Sequence, residues 1–390
     1  MIQTDDSSHQ KKTLSMLPSY PDFACCGEAP ADAPAPLPKL DQGFVTGSVS
    51  TSVGNLPQVS SKLHWRDHWG TIKARWGVGR MDYTIDPGLY VLGNPNRESP
   101  VLVTANYKMS FDRLRSSLPG GDVWILVLDT KGINVWCAAG KGTFGTEELV
   151  KRIETSGLKE IVSHRLVILP QLGAPGVAAH MVKKLSGFGV RYGPIDAEDL
   201  LAYMDADFKA TREMRIKTFA LKERAVLIPV ELVETLKPSL LIVPLLFLFG
   251  GIGGPFGYWV NALHDGSFAA LAFLSAVVGG TVINPLLLPY LPGRAFSTKG
   301  LWLGAVVAVV ILSLQEHDLS IWAGRLGILA WLLIIPAVTA YLAMNFTGCS
   351  TYTSLSGVNK EMRWALPLEI AMGGSGLLIW VASRLISLGG

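Results

Sequence analysis

The sequence predicts an α/β domain with a Rossmann-like sheet, followed by an all-α transmembrane domain of five helices. Two observations carry this expectation. Between residues 101 and 205 short apolar runs alternate with helical patterns, as they do when a sheet carries helices on both faces. From Lys237 onward charged residues become scarce and five apolar segments follow one another.

The elements follow in chain order. Residues 1–58 are rich in Ser, Pro, Ala and Gly, and Ala29 to Pro36 alternates small residues with proline. This composition predicts a flexible tail. Residues 59–205 form the α/β domain. Its opening, residues 62–90, is dense in aromatics and arginines, among them Trp65, Arg66, Trp69, Arg75 and Trp76. A strand is expected at Val101–Thr104, a helix from Ser110 to Ser117, and a buried strand from Val123 to Asp129. Thr146 is expected to cap a helix running to Ser156, with Glu147 and Glu148 favourable in its first turn. A strand at Leu166–Leu169, a helix from Gly176 to Ser186, a strand at Val190–Tyr192 and a helix opening at Asp196 complete the pattern.

Residues 206–237 are a basic linker carrying Lys209, Arg212, Arg215, Lys217, Lys222, Arg224 and Lys237. Such a segment is drawn to anionic membrane lipid. Residues 238–390 hold the five apolar segments, near 238–257, 267–290, 299–315, 321–344 and 366–388. The second and fourth reach the roughly 20 helical residues that a bilayer core demands, and the third is short. Basic residues fall in alternate loops: Arg294 and Lys299 in one, Lys360 and Arg363 in another, none in 258–266 or 316–320. The positive-inside rule then places the chain in the inner (cytoplasmic) membrane, N-terminal domain cytoplasmic and C-terminus outside, with Arg384 a mild exception. His264, Asp265 and Glu369 read as segment-end residues, so the membrane part is expected to be an anchor rather than an ion pathway.

Composition excludes some classes. Lys and Arg number 34 against 31 Asp and Glu, a net charge of +3, and no basic stripe is interleaved with aromatics, so no nucleic acid is expected. The four cysteines, Cys25, Cys26, Cys137 and Cys349, are too few and scattered for a disulfide framework or an iron–sulfur ligand run. No signal-peptide pattern opens the chain, so the α/β domain is expected in a reducing cytoplasm. His64 and His68 make only a weak metal pair. Cys25 and Cys26 are adjacent soft thiols that could take up a soft metal, although such residues in a tail also arise without function.

Chemistry concentrates in the run Asn134-Val135-Trp136-Cys137-Ala138-Ala139-Gly140-Lys141. It follows a buried strand and a Lys131-Gly132 turn, and it ends at Gly142. In a doubly wound sheet ligands bind beyond the carboxyl ends of the strands. The small residues after Cys137 would let a large flat ligand approach the backbone. A cysteine early in a short helix, with Lys141 near, has its thiolate favoured. The residues alone leave three readings: a buried structural cysteine, a ligand-binding cysteine, or a nucleophile with His164 or His180 as its base. The turn Gln171–Gly176, including Gly173, is either a ligand cradle or a plain strand-to-helix connection.

The run, together with Gly142-Thr143-Phe144-Gly145-Thr146, resembles the cap-helix signature of the mercury-methylating corrinoid proteins of anaerobic microbes, a family with about five membrane spans after its α/β domain. The domain is also similar to the corrinoid iron–sulfur protein of the acetyl-CoA pathway, which the polar loop around Cys349 resembles as well. The resemblance implies a cobalt-containing, cobalamin-type corrinoid cofactor. Cys137 would be catalytic, as lower axial ligand of the cobalt. Asn134 would orient the cap helix, and Val135 and Trp136 would line the lower face of the ring. Ala138, Lys141, Thr104, Ser110, Gln171 and Gly173 would complete the binding site. The activity implied is a methyltransferase handing methyl from cobalt to Hg(II) to form methylmercury, because a soft thiolate ligand favours transfer to an electrophile. The partners implied are a ferredoxin-like electron donor with two four-iron clusters, methyl-folate or a methyl-carrier protein, and Hg(II). Two other expectations stand beside it: a membrane-anchored methyl carrier of the acetyl-CoA or one-carbon pathway, and a non-catalytic corrinoid-binding or metal-transport protein.

Overall fold

The structure, a computed structural model, describes residues 37–254, 256–315, 318–349 and 355–387. Cys25, Cys26, the Ala/Pro-rich stretch, Glu316 and loop residues 350–354 lie outside the described residues. The α/β part is built from β1 (Val45–Thr51), β2 (Gly54–Val59), α1 (Trp65–Arg75), β3 (Gly88–Leu92), β4 (Val101–Ala105), α2 (Lys108–Ser116), β5 (Val123–Leu128), α3 (Val135–Lys141), α4 (Thr146–Thr155), α5 (Leu158–Ile161), β6 (Leu166–Leu169), α6 (Ala179–Ser186), β7 (Gly189–Tyr192) and α7 (Leu200–Asp205).

The seven strands form one mixed sheet in the order β1-β2-β3-β5-β4-β6-β7. β5, β4, β6 and β7 run parallel, while β3 runs antiparallel to β5 and β1 to β2. Every residue of β3, β4 and β5 is buried, which is why their sequences are near-continuous apolar runs. One face packs Val103, Ala105, Leu126 and Leu169 against Ala138, Phe144, Leu149 and Val182 of the α3–α6 side. The other packs Leu102, Ile125 and Val127 against Phe111, Leu114, Leu200 and Tyr203 of α2 and α7. The parallel half is the expected doubly wound core.

The α/β part departs from expectation at three points. Flexibility through residue 58 fails from Val45 onward, because β1 and β2 pair as a hairpin that extends the sheet. β3 was not foreseen, since Gly88–Leu92 is too short to show a period. Gly145, not Thr146, caps α4. The Thr146 hydroxyl instead accepts the Ala178 N–H at 2.9 Å, tying α4 to the approach of α6.

The C-terminal part is helical: α8 (Leu221–Ala225), α9 (Ile228–Gly250), α10 (Tyr258–Leu287, with π-helical turns at Ala262–Gly266 and Gly279–Ile283), α11 (Phe296–Leu312), α12 (Trp322–Cys349) and α13 (Leu355–Ile386). Among the described residues four segments are long and apolar enough to cross a membrane: Leu221–Gly250, Tyr258–Leu287, Trp322–Phe346 and Gly357–Ile386. α11 has 17 residues, about 25 Å of helix, so the expected count of five is reached only if this shorter helix is included. The basic linker does not end at residue 237, because α9 begins at Ile228 and carries Pro238 inside it.

α12 is the centre of this part, and glycines on its neighbours let backbones meet. A Cβ on Gly300 would lie 2.6 Å from Ala340 Cα, one on Gly304 2.5 Å from Pro336 Cα, and one on Gly280 2.6 Å from Leu342 Cβ. Phe219, Leu288, Phe296 and Phe346 gather at one end of the helices. At the other end Arg384 pairs with Asp265 at 2.6 Å and donates to the carbonyls of Gly250, Ile252 and Gly253. These partners account for a cation where the charge pattern left an exception. Glu369, expected at a segment end, lies well inside α13 and is buried.

Candidate functional site

Strand order reverses at β4, with β5 on one side and β6 on the other. In doubly wound sheets such a reversal is where a ligand site forms, here beyond the carboxyl ends of β4 and β6. Asn106, the residue after β4, is 6% exposed. Its Oδ1 accepts the N–H groups of Thr130 at 3.0 Å and Gly132 at 3.1 Å, and its Nδ2 reaches Asp129 at 3.3 Å. One side chain thus joins the end of β4 to the turn after β5. Lys131 and Gly132 both have left-handed backbone, φ 58° and 70°. A Cβ on Gly132 would sit 2.7 Å from Met81 O, so the turn fits only beneath the chain that follows α1.

This turn launches α3. Asn134 is the cap: its Oδ1 accepts the Cys137 N–H at 2.9 Å, one of the donors a helix start leaves unpaired. Gly142 ends the helix in left-handed backbone. Ala138 and Ala139 are buried against the sheet, with Val135 packed partly beside them. Positions i, i+3 and i+4 share a helix face, so Trp136, Cys137 and Gly140 fall on the other. Cys137 is a free thiol of intermediate exposure.

The Gln171–Gly176 turn after β6 lies against α3. A Cβ on Gly176 would meet Phe144 O at 2.1 Å and Ala139 Cα at 3.0 Å, and one on Gly173 would meet the Phe144 ring at 2.5 Å. Both glycines therefore serve the seating of the cap helix. Gln171 Oε1 accepts from Arg215.

The structure gathers Asn134, Val135, Trp136, Cys137, Ala138 and Lys141 on α3 and brings Gln171 and Gly173 against that helix. It does not bring Thr104 there. Thr104 is 3% exposed and shares strand parity with Leu102, which packs on the opposite face of the sheet. Ser110 is half-buried in the first turn of α2. His164 lies against Ser99 O and His180 is exposed. The cysteine–histidine reading therefore gains no hydrogen-bonded base here. Among the described residues no cluster of three His, Cys, Asp or Glu is set to hold a metal.

Several residues that shape the site were not singled out beforehand. Asn106 and Thr130 are the clearest; Asn106 directly follows the run Val-Leu-Val-Thr-Ala, a position that flags ligand sites in such sheets. Tyr107 stands next to it, its hydroxyl buried with no hydrogen-bond partner and pushed to higher pKa by burial. Glu148, foreseen as a first-turn acid, accepts the Asp129 N–H at 2.8 Å and is held by Arg152 at 2.7 Å.

α1 is fixed beside the site by a buried charge cluster. Asp67 takes Lys108 at 2.8 Å and Arg115 at 2.8 Å, and Asp112 takes the same two cations at 2.6 Å and 2.8 Å. Burial alone would raise the Asp67 carboxyl. The hydrogen bonds from Lys108 and the His64 N–H, with the charges of Lys108 and Arg115, outweigh it and hold the group at about 2.

Residues 78–204 match the model of a family described as the CO dehydrogenase/acetyl-CoA synthase delta subunit. The chain is similar to the acetyl-CoA decarbonylase/synthase complex subunit gamma of Methanopyrus kandleri, 30% identical over 130 residues, which are 33% of this chain and 28% of that protein. The subunit of the same name from Methanocaldococcus jannaschii is 38% identical over 97 residues, 24% of this chain and 20% of that protein. That of Methanothermobacter thermautotrophicus is 31% identical over 128 residues, 32% and 28%. The chain thus spans less than a third of the length of these relatives. The likeness corrects the expected enzyme: these relatives carry the name of acetyl-CoA decarbonylase/synthase subunits, and nothing in them supports a methyltransferase acting on mercury. The matched segment holds the turn at Asn106, the cap helix with Cys137 and the Gln171–Gly176 turn, and through it the chain resembles a corrinoid protein family of the acetyl-CoA pathway.

Proposed function

We propose that this chain is a membrane-anchored corrinoid protein that carries a methyl group, with Cys137 as the side chain that meets the cobalt. The observation that carries the reading is the cap helix itself. It stands at the strand-order reversal, within the segment that matches corrinoid proteins, and its cysteine is on the face turned away from the core. The donor set fits the cofactor. A lone, partly exposed, soft sulfur suits cobalt, and no competing metal cluster stands among the described residues.

A bound cobalt corrinoid supplies a metal centre that takes up and gives away a methyl group. The chain's own residues hold and orient it. Cys137 would offer its sulfur to the cobalt, and Asn134 fixes the first turn of α3 through the Cys137 N–H. Ala138 and Ala139 lock the helix to the sheet, while Gly173 and Gly176 keep the adjoining turn close. The electron donor would be a ferredoxin-like protein, and methyl-folate or another carrier protein would be the methyl source. Acetyl-CoA-forming subunits, named in the relatives, are the natural recipients of the group.

The helical part would cross the inner membrane five times, with α11 as the shortest span. Helix ends carrying Lys299, Lys360 and Arg363 would share the cytoplasmic side with the sheet domain.

Anaerobic expression of the full chain with added corrinoid tests the site. The visible spectrum should show a cobalt–sulfur band that disappears in Cys137→Ala. Cys137→His should retain corrinoid with an altered spectrum. An unchanged spectrum in Cys137→Ala would remove the cysteine from the cobalt and the proposal with it.

A further inference from the structure

The helix α1 is poorly covered for a helix so rich in large apolar groups. Only Asp67, Gly70 and Ala74 are buried. Trp65 is 73% exposed, and Trp69, Ile72 and Trp76 follow it at helical spacing on the outer side. Val78 and Met81, also exposed, continue the stripe past the helix end. Trp65 and Trp69 stack on each other with ring centres 6.3 Å apart. Charge is one-sided as well. Between residues 62 and 80 stand Lys62, Arg66, Lys73, Arg75 and Arg80 against a single acid, Asp67, and that acid is turned inward to Lys108 and Arg115.

The end of α1 is joined to the base of the first long apolar helix. Arg75 Nη1 donates to Val226 O at 3.0 Å. A Cβ on Gly77 would lie 3.6 Å from Val233 Cγ1 and 3.9 Å from Glu234 Oε1. One turn further, the pair Glu234–Lys237 marks the last charges of α9, and beyond it Leu240 and Leu241 point outward, 80% and 67% exposed. The Trp76 end of the stripe therefore lies within about one helical turn of the last charges of α9.

We propose that α1 is an interfacial helix that lays Trp65, Trp69, Ile72 and Trp76 into the headgroup layer of an anionic bilayer, on the side of the sheet domain. Indoles favour that layer because one edge is apolar and the N–H stays wet. Arg66 and Lys73, both exposed, meet the lipid phosphates. The buried Asp67 holds the helix to α2, so the contact fixes the sheet domain, and with it the cap helix, relative to the membrane. The inference rests on the reading of residues 221–386 as membrane-spanning.

The test uses the full chain in nanodiscs containing phosphatidylglycerol, with and without a lipid carrying a nitroxide quencher at headgroup depth. Tryptophan fluorescence is compared between wild type, Trp65→Phe/Trp69→Phe, and Trp364→Phe; Trp364 is on α13 near its start. The component lost in the double variant should be quenched as strongly as the Trp364 component. Arg66→Glu/Lys73→Glu should reduce that quenching and leave Trp364 quenched. An unquenched Trp65/Trp69 component beside a quenched Trp364 overturns the proposal, including the case where the stripe meets another protein. If Trp364 also escapes quenching, the membrane reading fails first.

Discussion

Replacing Asp67 by Asn should unfasten α1 from the sheet domain, and the size of the effect follows from the charge cluster. Asp67 and Asp112 together neutralise Lys108 and Arg115, and side-chain exposures in the cluster run from 0% to 8%. Holding the Asp67 carboxyl at about 2 instead of its usual 3.8 contributes about 2.4 kcal/mol once the group is ionised. The amide removes that charge and leaves two buried cations facing one carboxylate, a kind of loss that costs roughly 3–5 kcal/mol. Asp67→Asn should therefore destabilise the sheet domain by about 2–4 kcal/mol at neutral pH. The sign with pH is fixed. A carboxyl held below its usual value stabilises above that value, and the contribution fades as pH falls from about 4 toward about 2. Denaturant unfolding of the full chain in detergent, followed by near-ultraviolet circular dichroism, measures both quantities. The gap between wild type and variant should narrow on acidification. A gap below about 1 kcal/mol at neutral pH, or one that acid leaves unchanged, would show that the cluster is already open to water.

Two further outcomes are expected around the cap helix. Asn134→Ala removes the acceptor of the Cys137 N–H and should cost about 1 kcal/mol, seen in thermal unfolding, while weakening any cobalt–sulfur band; Asn134→Asp should restore both. Gly176→Ala would force a methyl group to 2.1 Å from Phe144 O, so α3 must shift. It should destabilise by roughly 1–3 kcal/mol and lower corrinoid uptake measured by equilibrium titration.

The sequence by itself determined the parallel core of the sheet and the positions of the long apolar helices. Buried strands covered on both faces are apolar throughout, and helices in hydrocarbon lack charges, so both leave an unbroken local pattern. It also picked out the Asn134–Lys141 run, because a cysteine, small residues and two glycine breaks lie within one short stretch. The hairpin before residue 60 was illegible. Gly47, Gly54 and Pro57 interrupt its strand pattern in the sequence, and only its place at the edge of the sheet beside β3 buries Leu56 and Val59. Tertiary structure alone decided which candidates share the cap helix. Thr104 follows the chain to the right strand end, yet strand parity turns it to the far face, while Asn106, two residues on, makes four side-chain hydrogen bonds to the turn after β5. Tertiary structure also decided that Asp67 faces inward, which strips the outer side of α1 of its acid and leaves tryptophan and arginine beside the first apolar helix. Side-chain direction depends on which face a neighbour occupies, and that neighbour stands 41 residues away in Lys108 and 48 in Arg115, beyond the reach of any local pattern.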